Sequence, residues 1–387
     1  MNQYLGYSEH DLESLSAFWT AKEVEQQPAC WRKTQATFSE CQPAIEAFMA
    51  KVSSHQNLRI VMTGAGTSAF AGRALAPALA EKTGRRVEAV ATTDLVSNPY
   101  QYFAEDLPTL LVSFARSGNS PESVAAVELA NQCLTHCYHL VLTCNAEGLL
   151  YKNSANDSRS FALLMPEETN DKSFAMTSSF SSMMVAAFSI LDGKCDHSKE
   201  IERLSLCSEE LIKEINIPIS NMAKLDISRV IYLGSGGLQG LAQESALKLL
   251  ELTAGKVVAA YDSPLGFRHG PKSIVDNETL IVVYISNNPY TRQYDLDLLS
   301  ELRRDKIARK VIAITAQLDD QVTNGDYWHV PTMEAATDIE LLFPYIIFAQ
   351  IYAFHRAIAL GNTPDNPCPT GEVNRVVQGV TIHNFNK

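Results

Sequence analysis

The chain has 387 residues, a net charge of −12 and 46% hydrophobic residues, a composition typical of a folded globular protein and not of a disordered one. Its length is sufficient for two domains of ordinary size. The negative charge and the lack of a basic stripe argue against a general nucleic-acid binder, although a few local donors are enough to bind a phosphate ester.

Residues 1–45 are predicted to form a helical leader. They begin with "MNQYLGYSEHDLES", which lacks the basic and then apolar pattern of a signal peptide. The eight cysteines form no Cys-x-x-Cys pair and no regular framework, which favours reduced thiols. Together these observations predict a cytoplasmic protein.

An internal repeat predicts two α/β halves. Residues 59–76 ("RIVMTGAGTSAFAGRALA") and 229–246 ("RVIYLGSGGLQGLAQESA") share an apolar strand, a Gly-x-Gly turn and a helix. Strands continue to alternate with helix-length segments, so each half should contain a central parallel sheet. We therefore expect domains at 46–200 and 201–362, followed by a tail at 363–387.

The two Gly-x-Gly turns do not predict a dinucleotide cofactor. A nucleotide-binding turn needs a third glycine three residues further on, and Ala69 and Gln239 stand there instead. We expect no cofactor.

The loop after the second strand of the first half is rich in small hydroxylated residues. In "SFARSGNSPES", Ser120 is predicted to cap a helix that starts with Pro121 and carries Glu122 in its first turn. Such a helix start, with free N–H groups, also suits a phosphate. The matching loop of the second half, 287–290, has no serine or glycine, so only the first half is expected to bind phosphate.

Cys133, His136, Cys137 and His139 form the densest group of metal-ligand residue types. Their spacing is irregular for zinc, and the favoured interpretation is a helix end followed by the strand 139–143. No metal is expected.

The most apolar segment is 341–354, which contains Pro344 and Gln350. It is too short for a membrane span and is predicted to be a buried or subunit-interface helix. We expect no membrane partner.

Lys248 and Glu251 are three residues apart on a predicted helix that ends at Gly255, so they should share a face. From the residues alone, an ordinary surface ion pair is the favoured interpretation. His269 lies in a Gly-Pro-rich loop, where a structural histidine and a positioned functional one are equally expected.

Four motifs, "GAGTSAFAG", "RSGNSPES", "ALKLLELTAGK" and "GFRHGPKSIVD", resemble the tandem sugar isomerase (SIS) domain family, and most closely its AgaS group of galactosamine-6-phosphate deaminase/isomerases. The resemblance extends over residues 40–387. It implies two three-layer α/β/α subdomains with parallel sheets, a helical leader and a C-terminal tail.

The resemblance also implies which residues hold the sugar phosphate. In the family the serine/threonine loop binds this group, and the matching residues here are Ser117, Gly118, Asn119 and Ser120, with Thr67 and Ser68 on the first turn. Arg116 departs from the Ser-Gln-Ser-Gly form of the glucosamine-6-phosphate synthases. An arginine there could pair directly with the phosphate.

The catalytic roles are likewise carried over from the family. They assign Glu251 as the base that moves a proton between C1 and C2, with Lys248 as its neighbour. His269 matches the ring-opening histidine, which relatives take from the other subunit, so a homodimer or higher homo-oligomer is expected. The synthases' C-terminal lysine corresponds to Gln378, which leaves the role of the tail open.

Only about 45 residues precede the first half, too few for the glutaminase domain that supplies ammonia in the synthases. Ammonia release is therefore expected, giving D-tagatose 6-phosphate from D-galactosamine 6-phosphate. Two alternatives remain, tagatose-6-phosphate ketose/aldose isomerisation without deamination, and a non-catalytic sugar-phosphate sensor. The acidic leader lacks a basic recognition helix, which counts against a DNA-binding sensor.

Overall fold

The computed structural model describes residues 3–155, 157–194, 196–371, 373–377 and 379–386, which form two compact units. The first unit comprises residues 29–171, 176–202 and 371–387. The second unit comprises residues 1–28, 172–175 and 203–370. The segment limits expected from the sequence stay predictions.

The strands are short and mostly buried. Their bounds are β1 Gln3–Tyr4, β2 Tyr7–Ser8, β3 Arg59–Thr63, β4 Arg86–Ala89, β5 Thr109–Ala115, β6 Cys137–Thr143, β7 Ser160–Leu164, β8 Arg229–Leu233, β9 Val258–Asp262, β10 Thr279–Tyr284, β11 Lys310–Thr315 and β12 Tyr327–His329.

Helices alternate with the strands. Their bounds are α1 Glu9–Ser14, α2 Phe18–Glu25, α3 Gln27–Ser53, α4 Thr67–Thr83, α5 Thr92–Ser97, α6 Pro99–Tyr102, α7 Pro121–Cys133, α8 Leu149–Ser154, α9 Ser178–Leu191, α10 Ser198–Met222, α11 Gly237–Leu252, α12 Pro264–Phe267, α13 Pro289–Asp305, α14 Asp320–Thr323 and α15 Asp338–Ala359, with 3-10 turns at Glu167–Thr169 and Pro271–Ile274.

Each unit contains one five-stranded parallel sheet, in the order β4-β3-β5-β6-β7 in the first and β12-β11-β10-β8-β9 in the second. The expected α/β fold with two parallel sheets is confirmed. In each sheet the first strand along the chain, β3 or β8, has the next strand on one side and the one after that on the other. The crevice at the carboxyl ends of β3 and β5, or of β8 and β10, is therefore a topological switch point, where open α/β sheets bind ligands.

The expected apolar segment is part of a longer helix. The 22-residue helix α15 is long and apolar enough to cross a membrane, so the expectation that the segment is too short was wrong. The prediction of a buried helix is confirmed, because 94% of the most apolar 18-residue stretch of α15 lies inside the protein. Helix α15 is a core helix of the second unit, and α9, entirely buried, is a core helix of the first.

The leader helices α1 and α2 pack as part of the second unit, and they are tied to a residue near the other end of the sequence. The Asp365 carboxylate accepts hydrogen bonds from the backbone N–H groups of Trp19 at 3.0 Å and Thr20 at 2.7 Å. The Thr20 hydroxyl donates to the same carboxylate at 2.7 Å, and Asp365 N–H donates to the Ser16 carbonyl at 2.8 Å. These bonds satisfy N–H groups at the start of α2, which has no side-chain cap of its own.

Of the four residues considered for zinc, Cys133, Cys137 and His139 are buried in the first unit, whereas His136 is exposed. Cys133 and Cys137 lie in an apolar cluster of the first unit, and His139 Nε2 makes a 2.9 Å hydrogen bond with Asn131 Oδ1. Burial lowers the pKa of His139 to about 4. Within the described residues, no group of three or more His, Cys, Asp or Glu could hold a metal ion.

Candidate active site

The predicted phosphate-binding residues lie at the switch point of the first unit. Thr67 and Ser68 begin α4, directly after the turn that follows β3, and both are buried. Residues 116–120 follow β5, the neighbouring strand. The fold therefore brings both loops to the same crevice at the carboxyl edge of the sheet.

The loop after β5 is held by the loop that follows β6. Gly118 has a φ of +64°, and a Cβ there would lie 3.3 Å from Thr143 Oγ1, so glycine is the residue that fits. Asn145 Nδ2 donates to the Ser117 carbonyl, and Leu149 N–H donates to Asn119 Oδ1, each at 2.9 Å. The sequence did not indicate this support from the β6 loop.

The helix start that follows is capped as predicted. Ser120 Oγ accepts a hydrogen bond from Ser123 N–H at 3.3 Å, and Pro121 occupies the first helical position. Over the described part of the chain, no group accepts a hydrogen bond from the backbone N–H of Gly118 or Ser120. The Ser120 hydroxyl itself donates to Ser123 Oγ at 2.6 Å. The two free N–H groups, the Ser117 hydroxyl and the positive end of a 13-residue helix thus make a cradle suited to an anion.

Arg116 is buried beside this cradle and contacts the C-terminal segment. Its Nη2 donates to the Arg375 carbonyl at 2.7 Å. The Arg375 side chain in turn donates to the Asp171 carbonyl and, at 3.2 Å, to Asn170 Oδ1. Direct pairing of Arg116 with a phosphate stays a prediction, and Gln378 lies outside the described residues.

A methionine that the sequence did not single out also borders the site. Met176 Sδ lies 3.8 Å from Ser68 Oγ, just before α9. The N-terminus of α9 is fixed by the fully buried Asp171, whose Oδ2 accepts hydrogen bonds from the N–H groups of Thr177 and Ser179 at 2.9 Å. The segment before α9 is thereby fixed next to Ser68.

The corresponding switch point of the second unit is filled by a carboxylate of the chain itself. Asp295, on α13, accepts hydrogen bonds from Ser235 Oγ at 2.6 Å and from Ser286 N–H at 2.9 Å. Asp338 accepts from Asn287 N–H at 2.8 Å. Burial raises the pKa of Asp295 to about 6, with a further contribution from nearby Asp338. These bonds agree with the expectation that the second half does not bind phosphate.

Lys248 and Glu251 share one face of α11, as predicted, but they are not a surface pair. Only 1% of the Lys248 side chain is exposed, and its Nζ contacts Glu251 Oε2. Its second neighbour, Glu244, is one helical turn earlier, fully buried, with Oε1 3.5 Å from Nζ. Glu244 was not identified from the sequence, although its i, i+4 spacing to Lys248 is visible there.

The two carboxylate oxygens of Glu251 differ, because Oε2 contacts Lys248 Nζ and Oε1 does not. Its side chain is 22% exposed. Within the described residues, Oε1 accepts no hydrogen bond. The carboxylate is therefore held in place at Oε2, while Oε1 has no partner among the described residues, which is the arrangement that the predicted base needs.

His269 lies in an exposed loop between α12 and the 3-10 turn at Pro271–Ile274. Its imidazole makes no hydrogen bond to any described residue. The loop itself is anchored, because the neighbouring Arg268 and Lys272 both pair with Glu301 of α13. His269 is thus a free imidazole on a fixed loop.

Comparison with protein families finds the SIS domain twice in this chain. The matches cover residues 54–190 and 225–359, and each contains one copy of the repeat. They contain every predicted site residue.

The similarity to individual proteins extends over nearly the full length. The chain is 50% identical over 366 residues to the D-galactosamine-6-phosphate deaminase AgaS of Escherichia coli, covering 94% of this chain and 95% of that protein. It is 45% identical over 383 residues to the protein of the same name from Shewanella sp. (strain ANA-3), covering 98% and 95%. Among solved structures, the tagatose-6-phosphate ketose/aldose isomerase of Escherichia coli superposes with a TM-score of 0.90 at 47% identity, covering 95% of this chain and 97% of that one.

Proposed function

Because this chain belongs to the SIS domain family, we propose that it is a D-galactosamine-6-phosphate deaminase/isomerase, which forms D-tagatose 6-phosphate and ammonia in amino-sugar catabolism. The similarity to the AgaS deaminases along almost the whole chain carries this assignment of substrate. The fold alone does not identify the substrate, because proteins with the same fold catalyse many different reactions.

The phosphate of the substrate binds in the cradle of the first unit. The free N–H groups of Gly118 and Ser120 and the hydroxyl of Ser117 supply the donors, and Thr67 and Ser68 line the neighbouring turn. Asn119 shapes the loop through its bond to Leu149 N–H, and Arg116 supplies positive charge beside it. No metal takes part in this proposal.

Glu251 is the general base. Its Oε1 removes the proton from C2 of the open-chain amino sugar, and the electron pair forms the C1–C2 double bond of an enolamine. Reprotonation at C1 gives a ketimine at C2, and addition of water to the C2–N bond expels ammonia and leaves the ketose. Lys248 holds Glu251 and offers a positive charge to the oxygen on which negative charge develops.

His269 opens the sugar ring by moving a proton between O1 and the ring oxygen. Its exposed imidazole, free of partners among the described residues, suits a group that acts on the substrate of a second copy of this chain. We therefore propose a homodimer or larger homo-oligomer. Sedimentation of the wild type measures the oligomeric state. In a second experiment, inactive Glu251→Gln and His269→Ala chains are mixed, and partial recovery of activity supports a site that takes His269 from a second copy of the chain.

We further propose a cytoplasmic location. The seven described cysteines are all free, which fits a reducing compartment. Burial raises the pKa of Cys30, Cys137 and Cys144 to about 12, so these thiols are protected from oxidation.

The second candidate function is ketose/aldose isomerisation of tagatose 6-phosphate without loss of nitrogen. The name of the structural relative from Escherichia coli favours it. The same base and ring-opening histidine serve this reaction, so only the fate of the amino group separates the two.

The deciding experiment measures ammonium release from galactosamine 6-phosphate and glucosamine 6-phosphate by the wild type and by Glu251→Gln. We expect rapid release from the galacto sugar, and a loss of at least ~10³-fold in kcat in the variant, because removal of a general base leaves only positioning and electrostatics. Glu88→Gln is the matched control, since Glu88 is a paired glutamate on β4, outside the site.

Each outcome has a clear reading. Tagatose 6-phosphate turnover without ammonium from either amino sugar would replace the deaminase by the isomerase. Phosphate-ester binding without any turnover would replace both by a sensor.

A further inference from the structure

The C-terminal residues 379–386 pack on the surface of the first unit. The centroid of the Phe385 ring lies 4.7 Å from that of Tyr100, and Phe385 also packs against the apolar cluster that contains Phe103. The Tyr100 hydroxyl donates a hydrogen bond to the Asn386 carbonyl at 3.3 Å. The end of the segment is therefore anchored, although residues 379–386 form neither a helix nor a strand.

A cavity of about 620 Å³ lies between this segment and the turn that joins α5 to α6. Residues 381–385 form one wall, and residues 96–101 with Leu129 form the other. The cavity lies wholly within the first unit, and none of the predicted phosphate-binding or catalytic residues lines it. Its volume falls within the range of roughly 300–1,000 Å³ that is typical of sites for small organic molecules.

The polar groups of the cavity are almost all uncharged. The polar residues that line it are Ser97, Asn98, Gln101, Thr381, His383 and Asn384. No Asp, Glu, Lys or Arg is among the described residues of the lining. A phosphate, carboxylate or ammonium group that entered would lose water without meeting an opposite charge, apart from a protonated imidazole. The lining therefore favours a neutral ligand.

Four of these polar side chains are available for hydrogen bonds. Those of Gln101, Thr381, His383 and Asn384 make none to any residue that the structure describes. Each amide can donate and accept, and so can a threonine hydroxyl and a neutral imidazole. A ligand that matches them must also donate and accept at several points, which is the property of a compound with many hydroxyl groups.

Aromatic surface completes the lining. Tyr100 and Phe385 both border the cavity, and 52% of Tyr100 remains exposed. The contact between the two rings and the Tyr100 hydrogen bond hold this surface in place. A flat apolar surface packs well against the C–H groups of a ring, while the amides at its edge bind polar substituents. An uncharged sugar presents both kinds of surface.

We propose that this cavity is a binding site for an uncharged sugar, separate from the site of the sugar phosphate. Gln101 and Asn384 bind its hydroxyl groups, and Tyr100 packs against its ring. The proposal is independent of the proposed function, because it uses none of the residues assigned to catalysis or to phosphate binding.

The test is a calorimetric titration of the full-length chain at pH 7 with sugars of different charge. D-Galactose and D-glucose are the neutral probes, D-galactosamine is the cationic one and D-galacturonate the anionic one. We expect at least one neutral sugar to bind with a dissociation constant of about 1 mM or below, and both charged sugars to bind at least about fivefold more weakly. Tighter binding of a charged sugar, or no binding of either neutral sugar at about 10 mM, would overturn the proposal.

Two substitutions assign the binding to this cavity. Gln101→Leu and Asn384→Leu each remove an amide and keep a side chain of similar size, so each should weaken binding of the neutral sugar by about fivefold or more. Gln293→Leu is the matched control, since Gln293 is an exposed glutamine on α13, outside the cavity, and its affinity should equal that of the wild type. Unchanged affinity in both cavity variants would place the sugar elsewhere and overturn the proposal.

The fold and the proposed function are checked separately. Gln101 and Asn384 are exposed, so both variants should fold, and thermal unfolding measures this. The titration needs no turnover. A chain that binds the neutral sugar but releases no ammonium from an amino-sugar phosphate would keep this site and lose the deaminase proposal, and a chain that releases ammonium but binds no neutral sugar would do the reverse.

Discussion

The two switch points of this protein are built on the same plan and differ in what they leave open. In the first unit the loop after β5 has N–H groups at Gly118 and Ser120 with no acceptor among the described residues. In the second unit the N–H groups of Ser286 and Asn287 are taken by the carboxylates of Asp295 and Asp338. The cradle of the first unit is available to an external anion, whereas the corresponding crevice of the second unit is occupied by carboxylates of the chain itself.

The difference shows how a duplicated fold can keep one ligand site and close the other. An internal carboxylate satisfies the same donors that a phosphate ester would, and its negative charge repels a second anion. The loop sequence adds to this, since Pro289 has no N–H to donate. The fold creates the crevice in both units, and a few side chains decide whether a ligand enters.

Among the tests of this comparison between the two switch points, the largest expected effect is at Gly118. Replacement by alanine combines an unfavourable positive φ with crowding against Thr143, which displaces the free N–H group of the cradle. We expect kcat/KM for the sugar phosphate to fall by about a hundredfold or more, since an anion-binding donor is worth ~3 kcal/mol in such sites. Steady-state kinetics measures this.

Gly236→Ala is the matched control for that substitution. Gly236 has a φ of +57° in the turn after β8, and nothing lies within 4 Å of a Cβ there. It should lose about 1 kcal/mol of stability and keep its activity. Equal losses of activity in both variants would contradict the assignment of phosphate binding to the first unit alone.

The next effect concerns stability and pH at Asp295. Its folded-state pKa of about 6 lies above the ordinary aspartate value of 3.8, so the native state binds more protons between these values and the stability falls as pH rises from about 4 to about 6. A rise of this size corresponds to ~3 kcal/mol. Asparagine does not titrate, so the Asp295→Asn variant lacks this pH dependence. The free energy of unfolding of the wild type, relative to that of the variant, should therefore fall by ~3 kcal/mol between about pH 4 and about pH 6.

Denaturant unfolding of both proteins at several pH values measures the Asp295 contribution. The exposed Asp297, on the same helix, provides the control substitution Asp297→Asn. A constant difference between wild type and Asp295→Asn from pH 4 to pH 7 would show that Asp295 is not the protonated group.

The smallest effect compares the two helix caps, Ser120 and Asn288. Both side chains accept hydrogen bonds from the first turn of their helices, so alanine at either position should cost about 1 kcal/mol of stability. Only Ser120→Ala should also raise KM, by several-fold, because Ser120 fixes the helix start that belongs to the proposed phosphate cradle. Equal KM values in the two variants would confine Ser120 to capping.

Local patterns in the sequence were sufficient for much of this architecture. The repeated strand–Gly-x-Gly–helix plan predicted two parallel sheets because alternation of strands and helices allows few other arrangements. The Ser-Pro-Glu start of α7 and the shared face of Lys248 and Glu251 follow from helix geometry alone, and both are present in the structure.

Features that depend on tertiary burial could not be predicted in this way. The spacing of Lys248 and Glu251 is the same in a surface pair and in a buried one, so the core position of Lys248 and its contact with Glu244 appear only in the fold. Asp295 stands six residues after Pro289, where the first unit has Val127 six residues after Pro121. No local sequence pattern indicates that the Asp295 side chain accepts a hydrogen bond from Ser235.

The bonds between Asp365 and the leader also constrain how the protein is made. Thr20 and its partner are 345 residues apart in the sequence, so a ribosome adding ~5–20 residues per second needs about 20 to 70 s to bring Asp365 out after Thr20. During that interval the apolar side of α2, with Ala21 and Val24, has yet to gain its last anchor. A segment that is synthesised before either parallel sheet therefore gains its last anchor only after both, and translation speed and chaperone access should influence the folding of the second unit.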